Sequence, residues 1–585
     1  MRVAKMRNRQ QSQYMTSTFY GYKHKHRIYA NEFYDTKNLT SDGHPLLSTR
    51  PLRGTVMELE KPAGLIAKDA LAVVDGTAVI YNGYRIEMGL SDVRPKQLVS
   101  MGAYMVIFPD KKYINTADIE DYGELEARWE AGTFPITYTP CSATGEPYEN
   151  AVIQPTEPES PVNGAYWVDT STKPHVLLQY SAGGAMWSQI PEVYTKISAT
   201  GIGEQFMEYD GVTISGCSYQ GDSSIAEQIQ ALNAPKVIYA KDSDWIVVVG
   251  MLDQQSEQEG GVKVARTVPD MDYVCEAGNR LWGCKYGLVN GEPVNEIYGS
   301  KLGDFKNWNC FLGISTDSWA ASVGSDGQFT AAVNYLGCPT FFKEEVIHRV
   351  SISAVGAHQI QDTICSGVQK GSWLSPAVAG ELLFYKGRSG IYAYDGSQPV
   401  EVSDAFGNER YTNAVGGAIG SKYYVSMEDI RGTAHFFVYD TAKGIWMRED
   451  NTRAMMFAAA DGDLFYIDAQ TDKIMSVMGT QGEKETQLEW EAVSGVQHYE
   501  EAGKKYLSRY SFRVRLQPGS VFRLFLQYDS DGTWHSKGDI RGDRLNTYTL
   551  PVVPRRCDHL QYRMEGSGPF ELFSLTRIFE EGSDR

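Results

Sequence analysis

Cysteine is scarce in this chain: eight residues in 585 (Cys141, Cys217, Cys275, Cys284, Cys310, Cys338, Cys365 and Cys557). None stands in a C-x-x-C pair and the spacings form no framework. That excludes a zinc ribbon, a thioredoxin-type motif and a disulfide scaffold. The expectation is reduced, mostly buried thiols in a protein folded in a cytoplasm. Long apolar runs are missing too. No stretch approaches the roughly 18 residues of a membrane helix, and the densest, residues 245–251, is strand-length. The opening MRVAKMRNRQQSQYM lacks the apolar core of a signal peptide. A soluble chain with no export signal of its own is expected. Positive charge is in deficit: 55 Lys and Arg face 73 Asp and Glu, a net charge of -18. A general nucleic-acid binder needs a basic face, so that class is disfavoured. The P-loop, G-x-G-x-x-G and G-x-S-x-G motifs are all absent.

What is abundant points to strands. Aromatics reach 12%, with 36 Tyr, and there are 57 Gly. Such a composition favours strands and tight turns. At this length roughly two to four domains are expected. A degenerate repeat runs through the middle. Gly278, Gly327, Gly380, Gly420 and Gly462 each precede a short aromatic strand, at intervals of 49, 53, 40 and 42 residues. Each unit reads small-Gly-polar, apolar run, second turn, second strand, as in GRSGIYAYDGSQPVEVS, where Gly390 and Gly396 serve turns. Two further units turn at Gly76 and Gly102. A period of about 40–50 residues with this grammar belongs to propeller blades. Five to seven blades are expected; a stack of β-sandwiches is the rival architecture.

The reading is therefore mainly all-β: a β-propeller with an inserted domain and a C-terminal β-sandwich. Residues 1–50 read as an extended N-terminal arm, 51–115 as the first part of the propeller and 116–235 as the insert. Residues 236–480 read as the remainder of the propeller and 481–585 as the sandwich. The insert opens on TADIEDYGELEARWEAG, read as a helix, and closes on SSIAEQIQAL, one or two helical turns. From about residue 481 the period-2 alternation of YSFRVRLQPGSVFRLFLQYDSDGTW carries the sandwich.

Chemistry is thin. His24 and His26 form an H-K-H that lacks a third ligand, so a solvated segment is the plainer reading. Asp529 and Asp531 open like a calcium loop, but the twelfth position is Ile540 rather than Glu, leaving a β-turn. The tripeptide Arg541-Gly542-Asp543 carries little weight. No acid is marked out by its neighbours, although with 73 of them a glycosidase pair is not excluded by counting. The expectation is no catalytic centre, no cofactor and no metal: not an enzyme.

Several phrases together resemble the tail-nozzle (tail tubular, or tail hub) proteins of tailed bacteriophages. They are EFYDTKNLTSDGHPLLSTRPLRG (Asn38, Gly43, Arg50, Arg53, Gly54), NRLWGCKYGLVNGEPVNEIYGSKLGDFKNW (Asp304 to Trp308) and GELLFYKGRSGIYAYDGSQPVEVSD. PVNGAYWVDTSTKPHVLLQYSAGGAMWSQI (Trp167, Asp169, Tyr180, Trp187) and RRCDHLQYRMEGSGPFELFSLTRIFEEGS complete the set. The 116–235 insert departs from the best-known nozzles. The resemblance implies a structural virion protein, made in the bacterial cytoplasm. It would form a homo-oligomeric ring, a hexamer by analogy, docked on portal, adaptor or other tail proteins. Viral DNA would pass without specific binding, and the host surface is a further partner. The rivals are a carbohydrate-binding or carbohydrate-active propeller and a receptor-binding or baseplate protein.

The arm has its own expectation. Seven basic residues (Arg2, Lys5, Arg7, Arg9, Lys23, Lys25, Arg27) stand in residues 1–27 without an acid. Tyr14, Phe19, Tyr20, Tyr22, Tyr29, Phe33 and Tyr34 supply aromatic surface of the kind that anchors interfaces. The arm is expected to lie against a neighbouring subunit or the protein above it in the particle.

Overall fold

The computed structural model describes residues 11–352, 357–498, 504–553 and 555–581. Apart from one short helix and a single 3-10 turn, the regular structure among them is strand. The chain divides into two compact units, 1–98 with 327–350 and 360–585, and 99–326 with 351–359.

The first unit carries five antiparallel blade-type meanders and a sandwich. The blades span residues 62–87, 331–350 with 360–364, 377–401, 411–450 and 454–476, the last extended by strands from elsewhere. They stack in series, and the sequence shows why. In the strand Lys422–Asp429, Tyr423, Val425 and Met427 pack with Phe384 of the preceding blade. Tyr424, on the opposite face, packs with Leu464 and Tyr466 of the following one. A strand buried on both faces reads as a continuous apolar run instead of an alternating one. The same device joins Leu383 and Tyr385 to Phe342 and Ile347, and Leu65 and Val73 to Phe465 and Ile467. The strand Gly54–Glu58 pairs with Lys473–Ser476, so an early segment supplies an outer strand of the 454–476 blade.

The seven repeat glycines, Gly76, Gly102, Gly278, Gly327, Gly380, Gly420 and Gly462, all have positive φ. Five of them turn the chain from a blade's first strand to its second. Gly76 joins the second strand of its blade to the third. Gly327 turns no strand pair; in its blade the first turn falls at Leu336-Gly337, between Ala331–Tyr335 and Cys338–Phe342.

The sandwich is not made from the C-terminal region alone. One sheet holds Lys505–Leu516, Leu545–Pro551 and Phe570–Glu581 together with Gln11–Thr16 and Leu47–Thr49. The other holds Val521–Tyr528, His535–Arg541, Leu560–Ser567 and Glu489–Ser494 together with Phe33–Lys37. The expected alternation is present: Leu524, Leu526 and Tyr528 lie beside Met564, Tyr562 and Leu560 of the adjacent strand in one core, with Phe19, Phe33, Leu39 and Leu47 from the N-terminal segment. The extended arm is thus corrected: residues 11–50 are structural strands and links of this unit. Phe19 and Phe33 bury enough apolar surface to explain why; each fully buried ring contributes about 1.5–3 kcal/mol.

The second unit contains two blade-type meanders, 97–124 and 273–322, packed through Val106, Phe108, Leu281, Phe305 and Trp308. It also holds the insert. Eight antiparallel strands curl around Ile136, Tyr138, Ile197, Ile214, Ile238, Ile246 and Val264. A four-stranded sheet of residues 152–189 is built beside them. Two expectations are corrected here. The strands Pro235–Asp242 and Trp245–Val249, assigned to the propeller, pair inside the insert's sheet. The segment expected as an opening helix forms Tyr122–Glu124 and Ala127–Glu130. Its helix-forming Glu and Ala residues are overridden by pairing: Tyr122 and Gly123 join the strand of Tyr113, whose hydroxyl donates to Asp121. SSIAEQIQ is a two-turn helix, Ser223–Gln230, capped by Asp222 and anchored by Ile225 and Ile229.

Candidate functional site

A cleft of about 330 Å³ opens in the insert, where the curled sheet meets the four-stranded sheet. Thr139, Pro140 and Tyr194 come from the curled sheet, and Tyr148, Glu149 and Asn150 from the link that follows it. Val168 and Leu177 form an apolar floor, and residues 251–255 close one side. Its lining therefore mixes aromatic rings with carboxylate and amide groups.

Asp253 is buried and accepts from His175 Nδ1 at 2.8 Å and from Gln228 Nε2 at 2.8 Å. Gln228 Oε1 in turn accepts from the Asp253 N–H, so the helix and this wall are locked together. The Tyr194 hydroxyl donates to Glu192 at 2.5 Å, and burial, reinforced by that carboxylate, pushes its pKa up. The phenol is therefore a fixed donor at neutral pH. Tyr148 packs on Tyr166 with ring centroids 5.0 Å apart. Burial raises its pKa as well. Glu149, Asn150, Gln254 and Gln255 stand exposed on the rim. Sequence reasoning missed all of these because they lie on separate segments without a motif.

The residues expected to anchor an interface are scattered. Phe19, Tyr22 and Phe33 are buried in the chain's own cores, at 2%, 4% and 0% exposure, which corrects that expectation for them. Tyr22 packs against Phe406 and Phe437. The Tyr34 ring packs at a tilt on His24, centroids 4.0 Å apart, and His24 Nδ1 lies 3.1 Å from the Tyr34 carbonyl oxygen. Only Tyr14, Tyr20 and Tyr29 are exposed, at 36%, 47% and 75%. Lys23 pairs with Glu32 and Lys25 with Asp404, within one subunit. Arg2, Lys5, Arg7 and Arg9 lie outside the described residues. Asp529 and Ser530 both have positive φ, the backbone of a tight hairpin turn rather than of a calcium loop. All eight cysteines are free thiols, and six are buried. Among the described residues no helix is long and apolar enough to cross a membrane.

The phrase containing Asn38, Arg50 and Arg53 is a buried ionic network. Arg53 donates to Glu449 at 2.6 Å and to Asp450 at 2.8 Å, and lies over the Phe436 ring at 4.8 Å. Arg50 donates to Glu485 at 2.8 Å and, through Nε, to Asn38. Its role is to hold the early segment onto the 411–450 and 454–476 blades.

No family model and no curated protein matches the sequence. Solved structures do. The exo-β-1,3-galactanase of Phanerochaete chrysosporium is 7% identical, with a TM-score of 0.21, over 52% of this chain and 94% of that one. A family 43 arabinoxylan arabinofuranohydrolase of Bacillus subtilis is 10% identical, with a TM-score of 0.18, over 52% and 94%. The extracellular domain of a one-component system of B. thetaiotaomicron is 9% identical, with a TM-score of 0.17, over 93% and 98%. The expectation that the chain is not an enzyme is withdrawn, because it rested on absent motifs alone. The missing motifs exclude particular nucleotide-binding and serine-hydrolase signatures; they say nothing against a carboxylate site. At these scores no substrate and no residue role passes from those proteins to this chain.

Proposed function

We propose that this chain is a carbohydrate-active β-propeller protein whose inserted module binds glycan in the 139–255 cleft. The lining carries the reading. Sugars present apolar C–H faces and rings of hydroxyls, and they are met by aromatic surfaces beside planar amides and carboxylates. Tyr148 offers the ring, Asn150, Gln254 and Gln255 the amides, and Glu149 a carboxylate that can accept hydroxyl donors. Asp253 is already saturated by His175 and Gln228, so it shapes the wall. Titration calorimetry of the whole protein against galactan, arabinoxylan and capsular oligosaccharides, with a reducing-end assay alongside, tests this. Tyr148→Ala is expected to weaken binding about tenfold or more, corresponding to roughly 1.4 kcal/mol. If turnover is seen, Glu149→Gln is expected to abolish it. No binding to any member of the panel would sink the reading.

A second reading, a ring subunit of a phage tail docked on portal, adaptor or other tail proteins, is favoured by a separate observation. Met15, Tyr20 and Tyr29 stand exposed around one depression at the N-terminal segment. Exposed aromatics grouped in this way suit an interface. The two readings are compatible, since a virion protein can meet host-surface glycans.

A further inference from the structure

We propose that His498, Asp558 and His559 form a binding site for a borderline divalent cation such as Zn²⁺. One ligand atom from each lies within 4.8 Å of the others. The backbone puts them there. Gln497 and Leu560 form an antiparallel bridge, Gln497 N–H to Leu560 O at 2.8 Å and Leu560 N–H to Gln497 O at 3.3 Å. His498 and His559 are the next residues outward on the two strands, and their rings lie 5.3 Å apart. Cys557 and Leu560, both fully buried, pin the Asp558-His559 pair from either side.

The second layer of contacts orients the ligands. Asp529 Oδ1 accepts from the N–H of Asp558 at 2.7 Å and from that of His559 at 3.3 Å. The acid that imitates a calcium loop in the sequence is thus a brace for the neighbouring turn. Ser530 Oγ lies 2.8 Å from His559 Nε2, which leaves Nδ1 turned toward Asp558, 3.1 Å from its Oδ2. Neighbouring ligands on a tetrahedral zinc lie about 3.3 Å apart, so this pair already has the right spacing. Fixing one imidazole nitrogen to set the other on a metal is the usual work of outer contacts. Two imidazoles and one carboxylate suit Zn²⁺, with water or a ligand from outside in the fourth place. Calcium and magnesium prefer all-oxygen sets.

Titration of the full-length, chelator-treated protein with Zn²⁺, and with Co²⁺ as a spectroscopic probe, tests the site. One saturable equivalent with tetrahedral Co²⁺ absorption is expected. His498→Ala, His559→Ala and Asp558→Asn should each weaken it about tenfold or more. Ser530→Ala, which removes no ligand, should give a smaller loss. Circular dichroism without metal confirms that each variant is folded. The proposal is overturned if the wild type shows no saturable equivalent, or if His559→Ala binds within about twofold of it.

Discussion

Arg53 is a charge that the fold must bury and neutralise. Its side chain is 2% exposed, and Glu449, beside it, is 4% exposed. Burying charge costs several kcal/mol per ion, and only close pairing offsets it. Arg53→Ala leaves Asp450 without its ion pair and Glu449 with only Arg50 Nε at 3.6 Å, and is expected to destabilise the unit by about 3–5 kcal/mol. Denaturant unfolding measures this, and a loss below about 1 kcal/mol would contradict the network. The same contacts set an acid limit. Burial raises the carboxyl pKa of Asp450, and that of Glu485, but Arg53 and Arg50 outweigh it and hold both below the usual range. A depressed carboxylate stabilises the fold above its unfolded pKa of about 4 and loses that contribution as pH falls through its folded value. The wild type should therefore weaken below about pH 4, and Arg53→Ala should show a shallower decline. The sequence displays Arg50 and Arg53 as a phrase. It cannot display Glu449, Asp450 and Glu485, because charge partners this far along the chain leave no local mark. The cleft escapes for the same reason: Tyr148 and Asp253 are joined only by folding.

At the scale of elements, glycine does two different jobs in the blades. Gly420 has φ +56° and open space where a Cβ would stand. Gly417 has an ordinary φ, but a Cβ would lie 2.5 Å from Phe457 Cβ in the adjoining blade. Gly420→Ala should cost about 1–2 kcal/mol from the left-handed backbone, and Gly420→Asn less, since Asn tolerates that region. Gly417→Ala should cost about 1–3 kcal/mol by overpacking, and Gly417→Asn more, since added bulk meets the Phe457 Cβ and ring. Thermal unfolding of the four variants distinguishes strain from crowding; equal rescue of both sites by Asn would refute the distinction. The first kind of glycine was legible, because a turn needing positive φ leaves the same letter at each repeat. The second kind was not, since close approach between sheets follows no period. The same limit explains Gly327, a true left-handed glycine placed one turn too early. It also explains the insert's end, where Trp245–Val249 speaks the grammar of a blade but pairs with Tyr194–Ser198.

For the whole molecule, the decisive finding is that both ends of the described chain share one sandwich. Were residues 11–34 a free arm, deleting residues 1–34 would leave a stable, soluble protein. Here the deletion strips Gln11–Thr16 from Phe570–Glu581 and takes Phe19 and Phe33 out of the core. The truncated protein should lose at least about 3–5 kcal/mol, the cost of emptying one buried aromatic site. Limited proteolysis should then cut within 505–581 while the 377–476 blades survive. Unchanged protection of 505–581 would restore the arm. The alternation of the C-terminal strands was readable because one face of each is wet. Their N-terminal partners were not, being brief, Tyr-rich and separated from them by most of the sequence.

That pairing also fixes an order of events during synthesis. Gln11 stands opposite Glu580 and Thr16 opposite Leu575. At elongation rates of roughly 5–20 residues per second, the early strands wait about half a minute to two minutes for their neighbours to leave the ribosome. Blades that stack on adjacent sequence can close as they emerge, but the sandwich cannot. During that interval Phe19, Phe33, Leu39 and Leu47 are exposed to whatever else is present in the cell, and the nascent chain is a client for any factor that shields apolar strands. A ribosome stalled before residue 570 would therefore hold assembled blades and an unassembled sandwich.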